Sequence, residues 1–242
     1  MSTQRDAIIV ENFYDRVDLV RAYAINQLTN NYYDAYPLAK IRLWNTSKWR
    51  PANKCPFKSS KDLIEKLEFY TGEKIDMDQW NADFPKDWPI YGDHPKYKEY
   101  EKLANDGKIS CKWNCSFHLK LPTNRKTEKT SVHTHSGVLW DDVGDYGWAG
   151  IIYLNKGMNE DVGMYTWENK LGDNYRYMTK AEEWKREDVY APVFNRLILI
   201  RGKKPHSGAD GFSNDPEIGR LFQTFFFRTK PEFTNPVKIF NQ

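Results

Sequence analysis

From residue 115 onward the chain breaks into six short runs rich in apolar, β-branched and aromatic residues, separated by Gly, Asn, Asp and Pro: CSFHLKL (115–121), TSVHTH (130–135), WAGIIYLN (148–155), GMYTWE (163–168), RLILIRG (196–202) and RLFQTFFFR (220–228). Such side chains fit a pleated, half-buried surface, and the residues between them supply turns. Short strands with uneven connections predict a sandwich or jelly roll rather than the alternating βαβ units of a parallel sheet. The first half has a helical period instead. Val17, Val20, Ala24 and Leu28 recur behind Phe13, and SSKDLIEKLEFYTG offers Ser59 or Ser60 as N-cap, Leu63, Leu67 and Tyr70 on one face, and Gly72 as a stop. The expected fold class is α+β, with N-terminal helices flanking a barrel-like pair of sheets. We expect one domain over 1–242, with a mainly helical flank and loops over 1–110 and the β-rich core over 111–230.

Charge excludes some partners. Lys plus Arg number 36 against 33 for Asp plus Glu, and the two signs are interspersed. No basic stripe suits a nucleic-acid backbone, and NRKTEK (124–129) reads as a solvated loop. No stretch approaches the roughly 18 to 20 apolar residues of a membrane span. MSTQRDAIIVENFYDRVD meets charges before an apolar run develops, unlike an export signal. Of the three cysteines, Cys111 and Cys115 in CKWNC lack a second Cys or His pair nearby, so reduced thiols and a cytoplasmic location are expected rather than a zinc site.

The chain has five histidines, and two of them stand two positions apart in SVHTH. On a strand, His133 and His135 project from one face with Cα atoms roughly 6.5 Å apart, close enough to share an ion. His206, in KPHSG, follows the run RLILIRG beyond a turn that could bring it back. Imidazoles suit iron, zinc, copper and nickel alike, so the set alone does not choose a metal. The competing reading is a structural pair. His94 (GDHPK) reads as a turn residue and His118 (SFHLK) as a strand residue packed in the core. Trp140 and Trp148 are either core or the wall of a pocket.

In order along the chain stand His133-Thr134-His135, Tyr153-Leu154-Asn155, Gly163 in VGMYTW, Asn195-Arg196-Leu197, His206 and Arg220. This ordered set, spread over 130–228, resembles the iron(II)- and 2-oxoglutarate-dependent oxygenases, in particular their prolyl-4-hydroxylase-like branch. The resemblance implies a double-stranded β-helix, a cupin-like jelly roll, with Fe(II) held by His133, His135 and His206. It implies 2-oxoglutarate as co-substrate, its far carboxylate held by the forked donors of Arg220 and the hydroxyl of Tyr153. It further implies dioxygen as a reactant and hydroxylation of a C–H bond in a small-molecule or peptide substrate. Loops 122–130 and 156–162 and the helical half would then supply lids and substrate walls.

One position departs from the family's pattern, which has Asp where this chain has His135. Three accounts order themselves. His135 is itself the third ligand; or the frame shifts, with His135 as first ligand and Gly137 in the carboxylate slot, as in halogenases; or Asp141 or Asp142 swings in from the following loop. Two other classes compete with the oxygenase: a catalytically degenerate jelly-roll binding or structural protein, and a hydrolase using zinc on three histidines.

Overall fold

The computed structural model describes residues 6–31, 33–34, 43–45, 56–83, 95–109, 111, 113–122, 132–137, 142–170 and 181–230. The first half contains β1 (Ala7–Val10), α1 (Val17–Asn31), β2 (Tyr33–Asp34), β3 (Leu43–Asn45), α2 (Lys61–Thr71), β4 (Lys74–Ile75), α3 (Met77–Asn81) and α4 (Tyr97–Asn105). The second half contains β5 (Phe117–Lys120), β6 (Trp148–Tyr153), β7 (Met164–Asn169), β8 (Trp184–Tyr190), β9 (Leu197–Arg201), β10 (His206–Gly208), β11 (Arg220–Phe227) and β12 (Thr229–Lys230). The protein is thus a mixed helix and sheet fold, and its strand pairings are antiparallel.

A seven-stranded sheet runs β1-β9-β6-β11-β5-β3-β2, and a three-stranded sheet runs β10-β7-β8. His133 extends the smaller sheet by an antiparallel bridge to His206, with amide-to-carbonyl bonds of 3.0 and 2.9 Å in the two directions. From β5 onward the chain crosses repeatedly between the sheets. β5, β6, β9 and β11 belong to the large one; the His133 segment, β7, β8 and β10 belong to the small one.

The alternation of side chains in β11 organises the core. All eight of its residues are buried. Phe222 and Phe226 face the small sheet, in a cluster with Ala149, Ile151, Tyr153, Met164, Ile198 and Ile200. On the other face Phe225 and Phe227 pack with Leu63 and Leu67 of α2, and Leu221 packs with Val20, Ala24 and Leu28 of α1. Each such aliphatic side chain contributes roughly 1.5–3 kcal/mol by leaving water. The helix ends follow their sequence signals. Ser60 accepts from the Leu63 amide at 3.3 Å, and Gly72 closes α2 at φ 70° with its N–H on the Glu68 carbonyl.

The rule of alternation places Trp148 in the core, one of its two readings, and overturns the expectation that the helices wall the site. Trp148 lines no pocket: it lies on the helix side of β6 with Phe225 and Phe227, and its indole N–H donates to Glu73 at 3.0 Å. Helices α1 and α2 likewise cover the far face of the large sheet and form no wall beside the histidines. Among the described residues no helix is long and apolar enough to cross a membrane, and Cys111 and Cys115 are buried thiols. His94, Trp140, Asp141 and the stretch 124–129 lie outside the described residues.

Candidate metal centre

The bridge between His133 and His206 brings three imidazoles together. Ring centroids lie 4.4 Å apart for His133 and His206, 4.9 Å for His135 and His206, and 5.0 Å for His133 and His135. One nitrogen from each ring lies within 4.8 Å of the other two. Nitrogens around a common ion at about 2.1 Å stand about 3 to 3.5 Å apart, so the rings close by about an ångström to share one. His135 and His206 are buried and His133 is partly exposed.

His206 is held as a neutral imidazole. A carbonyl can only accept, so the 3.0 Å contact between its Nδ1 and the Lys204 carbonyl fixes the proton on Nδ1 and leaves Nε2 with a lone pair. Burial, with the neighbouring His133, pushes its pKa down to about 3, against a smaller opposing effect of the Lys204 bond. The folded state therefore refuses a proton that the unfolded chain accepts near pH 6.5, so this part of the stability is complete above that value and drains away as pH falls towards 3. Between pH 6.5 and 5 the metal-free protein should lose about 2 kcal/mol through this group alone. Thermal melts across that range should show the loss, and His206→Gln should flatten the slope; an equal slope in the variant would remove His206 from this role.

Arg220 lies on the same inner face, in a cradle. Its Nε donates to the Val162 carbonyl at 2.8 Å, and its Nη2 donates to the Gly163 carbonyl at 3.0 Å and to the Tyr153 hydroxyl at 3.3 Å. A Cβ at Gly208 would stand 3.0 Å from Nη2 and press on the guanidinium, and one at Gly163 would strike the Tyr190 carbonyl, so that position needs glycine. The guanidinium is 2% exposed, and among its described partners there is no carboxylate. Gly208 is two residues from His206 and on the same face of β10, so the guanidinium sits against the strand position next to His206 on that face. Burial raises the pKa of Tyr153, opposed by Arg220, and keeps the phenol protonated as a donor.

The remaining motif residues are structural. The Asn155 side chain donates to the Pro216 and Gly219 carbonyls at 2.9 and 2.7 Å, fixing the turn that leads into Arg220. Asn195 pairs by its side-chain amide with the backbone of Tyr14, holding the segment before α1. His118 packs in the core: it stacks on Phe222 at 5.1 Å and shares a 2.9 Å bond with Thr224. Thr166, which the sequence reading passed over, is fully buried directly across from His206 in the register of β7 and β10. Only strand pairing reveals it. Segment 156–162 is tied to the site by the Val162 carbonyl.

Of the residues in the three accounts of position 135, Gly137 is exposed at φ 72°, with open space where a Cβ would be. Asp142 is committed elsewhere, to Arg228 at 2.8 Å. His135 itself is in the cluster.

No protein-family model and no curated protein sequence matches the chain. Among solved structures it is similar to a prolyl-4-hydroxylase from Pseudomonas putida, at 15% identity and a TM-score of 0.44 over 93% of each chain. It is also similar to SnoN, a non-heme alpha-ketoglutarate-dependent epimerase of nogalamycin biosynthesis, at 12% identity and a TM-score of 0.46 over 91% of this chain and 76% of the other. A third is a 2OG-Fe(II) oxygenase family oxidoreductase from Burkholderia pseudomallei, at 11% identity and a TM-score of 0.46 over 92% and 84%.

Proposed function

We propose that the chain is a single-domain double-stranded β-helix oxygenase that binds Fe(II) through His133, His135 and His206 and uses 2-oxoglutarate to hydroxylate a substrate C–H bond. The observation that carries this reading is Arg220: a buried guanidinium held by carbonyls and a phenol, without a carboxylate among its described partners, packed against the strand that carries His206, one of three converging imidazoles. A buried cation left in that state is costly, and an anionic ligand offsets the cost. A dicarboxylate spanning from the ion to Arg220 has the right charge and reach.

When bound, iron and 2-oxoglutarate supply the oxidation, with dioxygen consumed, the keto acid converted to succinate and carbon dioxide, and the substrate hydroxylated. The protein holds and shields. Arg220 and Tyr153 orient the far carboxylate, the Lys204 carbonyl holds His206 in its ligating tautomer, and Phe222, Phe226, Ile151 and Met164 keep the surroundings dry. The substrate is a small molecule or peptide.

Anaerobic protein should take up about one Fe(II) per chain. 2-Oxoglutarate at 100 times its dissociation constant should then add about 2.7 kcal/mol of stability, a rise of about 5–10 °C in Tm for a chain of this size. No shift with metal present would turn the reading towards a non-catalytic jelly roll. Three neutral imidazoles would also hold zinc and a hydrolytic water, but that chemistry gives Arg220 and Tyr153 no task.

A further inference from the structure

We propose that Arg228 and Asp142 form a positioning pair whose work is to hold His135, the odd ligand, at the metal. The inference rests on the metal-binding function proposed above and adds residues outside the cluster. A carboxylate in this place would be drawn to a cation by its charge. A neutral imidazole is drawn less strongly and depends more on being held where the ion will sit.

The holding is built from both sides. The His135 amide donates to the Gly202 carbonyl at 2.8 Å, and its carbonyl accepts from the Val143 amide at 2.8 Å. One carboxylate ties residues on either side: Asp142 Oδ1 accepts from the amides of Gly137 at 3.1 Å and Gly144 at 2.8 Å. Its other oxygen accepts from Arg228 Nη2 at 2.8 Å, with both side chains largely buried. Arg228 in turn donates to the Asp142 carbonyl at 3.4 Å and, at 2.7 Å each, to the Ala104 and Asn105 carbonyls at the end of α4. Two residues before it on the same chain, Phe226 packs on the His135 ring at 4.5 Å. The end of β11 therefore grips this ligand twice, by ring contact and through the ion pair. His133 and His206 are instead held by each other's backbone.

The test is a double-mutant cycle read by metal binding, with Co(II) as probe. In the full chain, Arg228→Met should weaken Co(II) about 10- to 100-fold and move its visible spectrum to that of His135→Ala. In the His135→Ala background, Arg228→Met should leave Co(II) affinity unchanged while still lowering Tm. Arg228→Lys, which keeps one donor for Asp142, should restore part of the wild-type spectrum. Equal losses of Co(II) affinity from Arg228→Met in both backgrounds, or a lowered Tm with the wild-type spectrum and affinity intact, would overturn the assignment. If Arg228→Met does not fold, Asp142→Asn takes its place in the cycle. Failure of the wild-type chain to bind Co(II) at all would overturn the metal-binding reading, and this proposal with it.

Discussion

On the proposed function, replacing Arg220 with Met should abolish 2-oxoglutarate binding at little cost in stability. Each charge-assisted hydrogen bond to a carboxylate contributes about 1.5–3 kcal/mol, and two in parallel correspond to a loss in affinity on the order of 100-fold or more. Among the described residues the guanidinium's hydrogen-bond partners are two carbonyls and a phenol, with the Phe222 ring beneath it at 4.8 Å. An apolar chain of similar length in that cradle avoids a desolvated charge, so the free variant should melt at or above the wild-type temperature. Fe(II) uptake should persist, because the three imidazoles keep their own supports. Calorimetric titration with 2-oxoglutarate beside a thermal melt reads both signs at once. A variant that melts several degrees lower yet binds the keto acid normally would make Arg220 a structural residue and remove the main support for the oxygenase reading.

The other large effect lies on the opposite side of the sheet and should touch stability alone. Glu73 and Arg201 pair at 2.6 Å with side chains only 12% and 4% exposed, and Trp148 and Thr229 donate to the same carboxylate at 3.0 and 2.8 Å. Arg201 also lies 3.7 Å over the Trp148 ring. Burial alone would raise the Glu73 pKa, but Arg201, Thr229 and Trp148 together hold it below the ordinary carboxylate value. Glu73→Gln strands a buried guanidinium and should cost about 3–5 kcal/mol. A carboxyl with a lowered folded pKa stabilises at pH values above its unfolded pKa, and that contribution is lost as pH falls through the folded value. Acid denaturation of the wild type should therefore steepen below pH 4.5, and the variant should lack that component. Denaturant melts at pH 7 and 4 check it; a loss under 1 kcal/mol at pH 7 would show the pair to be dispensable.

Much of this was legible before any coordinates. Strand runs at 148–155, 196–202 and 220–228 announced β6, β9 and β11 because both faces of those strands are buried and their sequences are apolar throughout. The two helices with amphipathic spacing appear with their buried residues as expected, Val20, Ala24 and Leu28 in one and Leu63 and Leu67 in the other. β8 was illegible for the converse reason: in WKREDVY only Trp184 is buried, and the charged residues that follow suit an edge strand in water. β1 gave four residues, too few for a period to show. The i, i+2 spacing of His133 and His135 was visible, but what joins them to His206 is a backbone bridge, and pairing partners leave no local trace. The same holds for Arg228, which reads as the polar end of an aromatic strand until its carbonyl and carboxylate partners are seen.

Because β11 presents the histidine cluster's side on one face and the helix contacts on the other, the chain resists being shortened to its β-rich half. A fragment starting at residue 111 would bare Leu221, Phe225 and Phe227, all fully buried in the intact protein, on the back of the strand that carries Arg220. Such a fragment should aggregate rather than survive as a minimal unit, and grafting the histidine and Arg220 face into another scaffold would require carrying α1 and α2 with it.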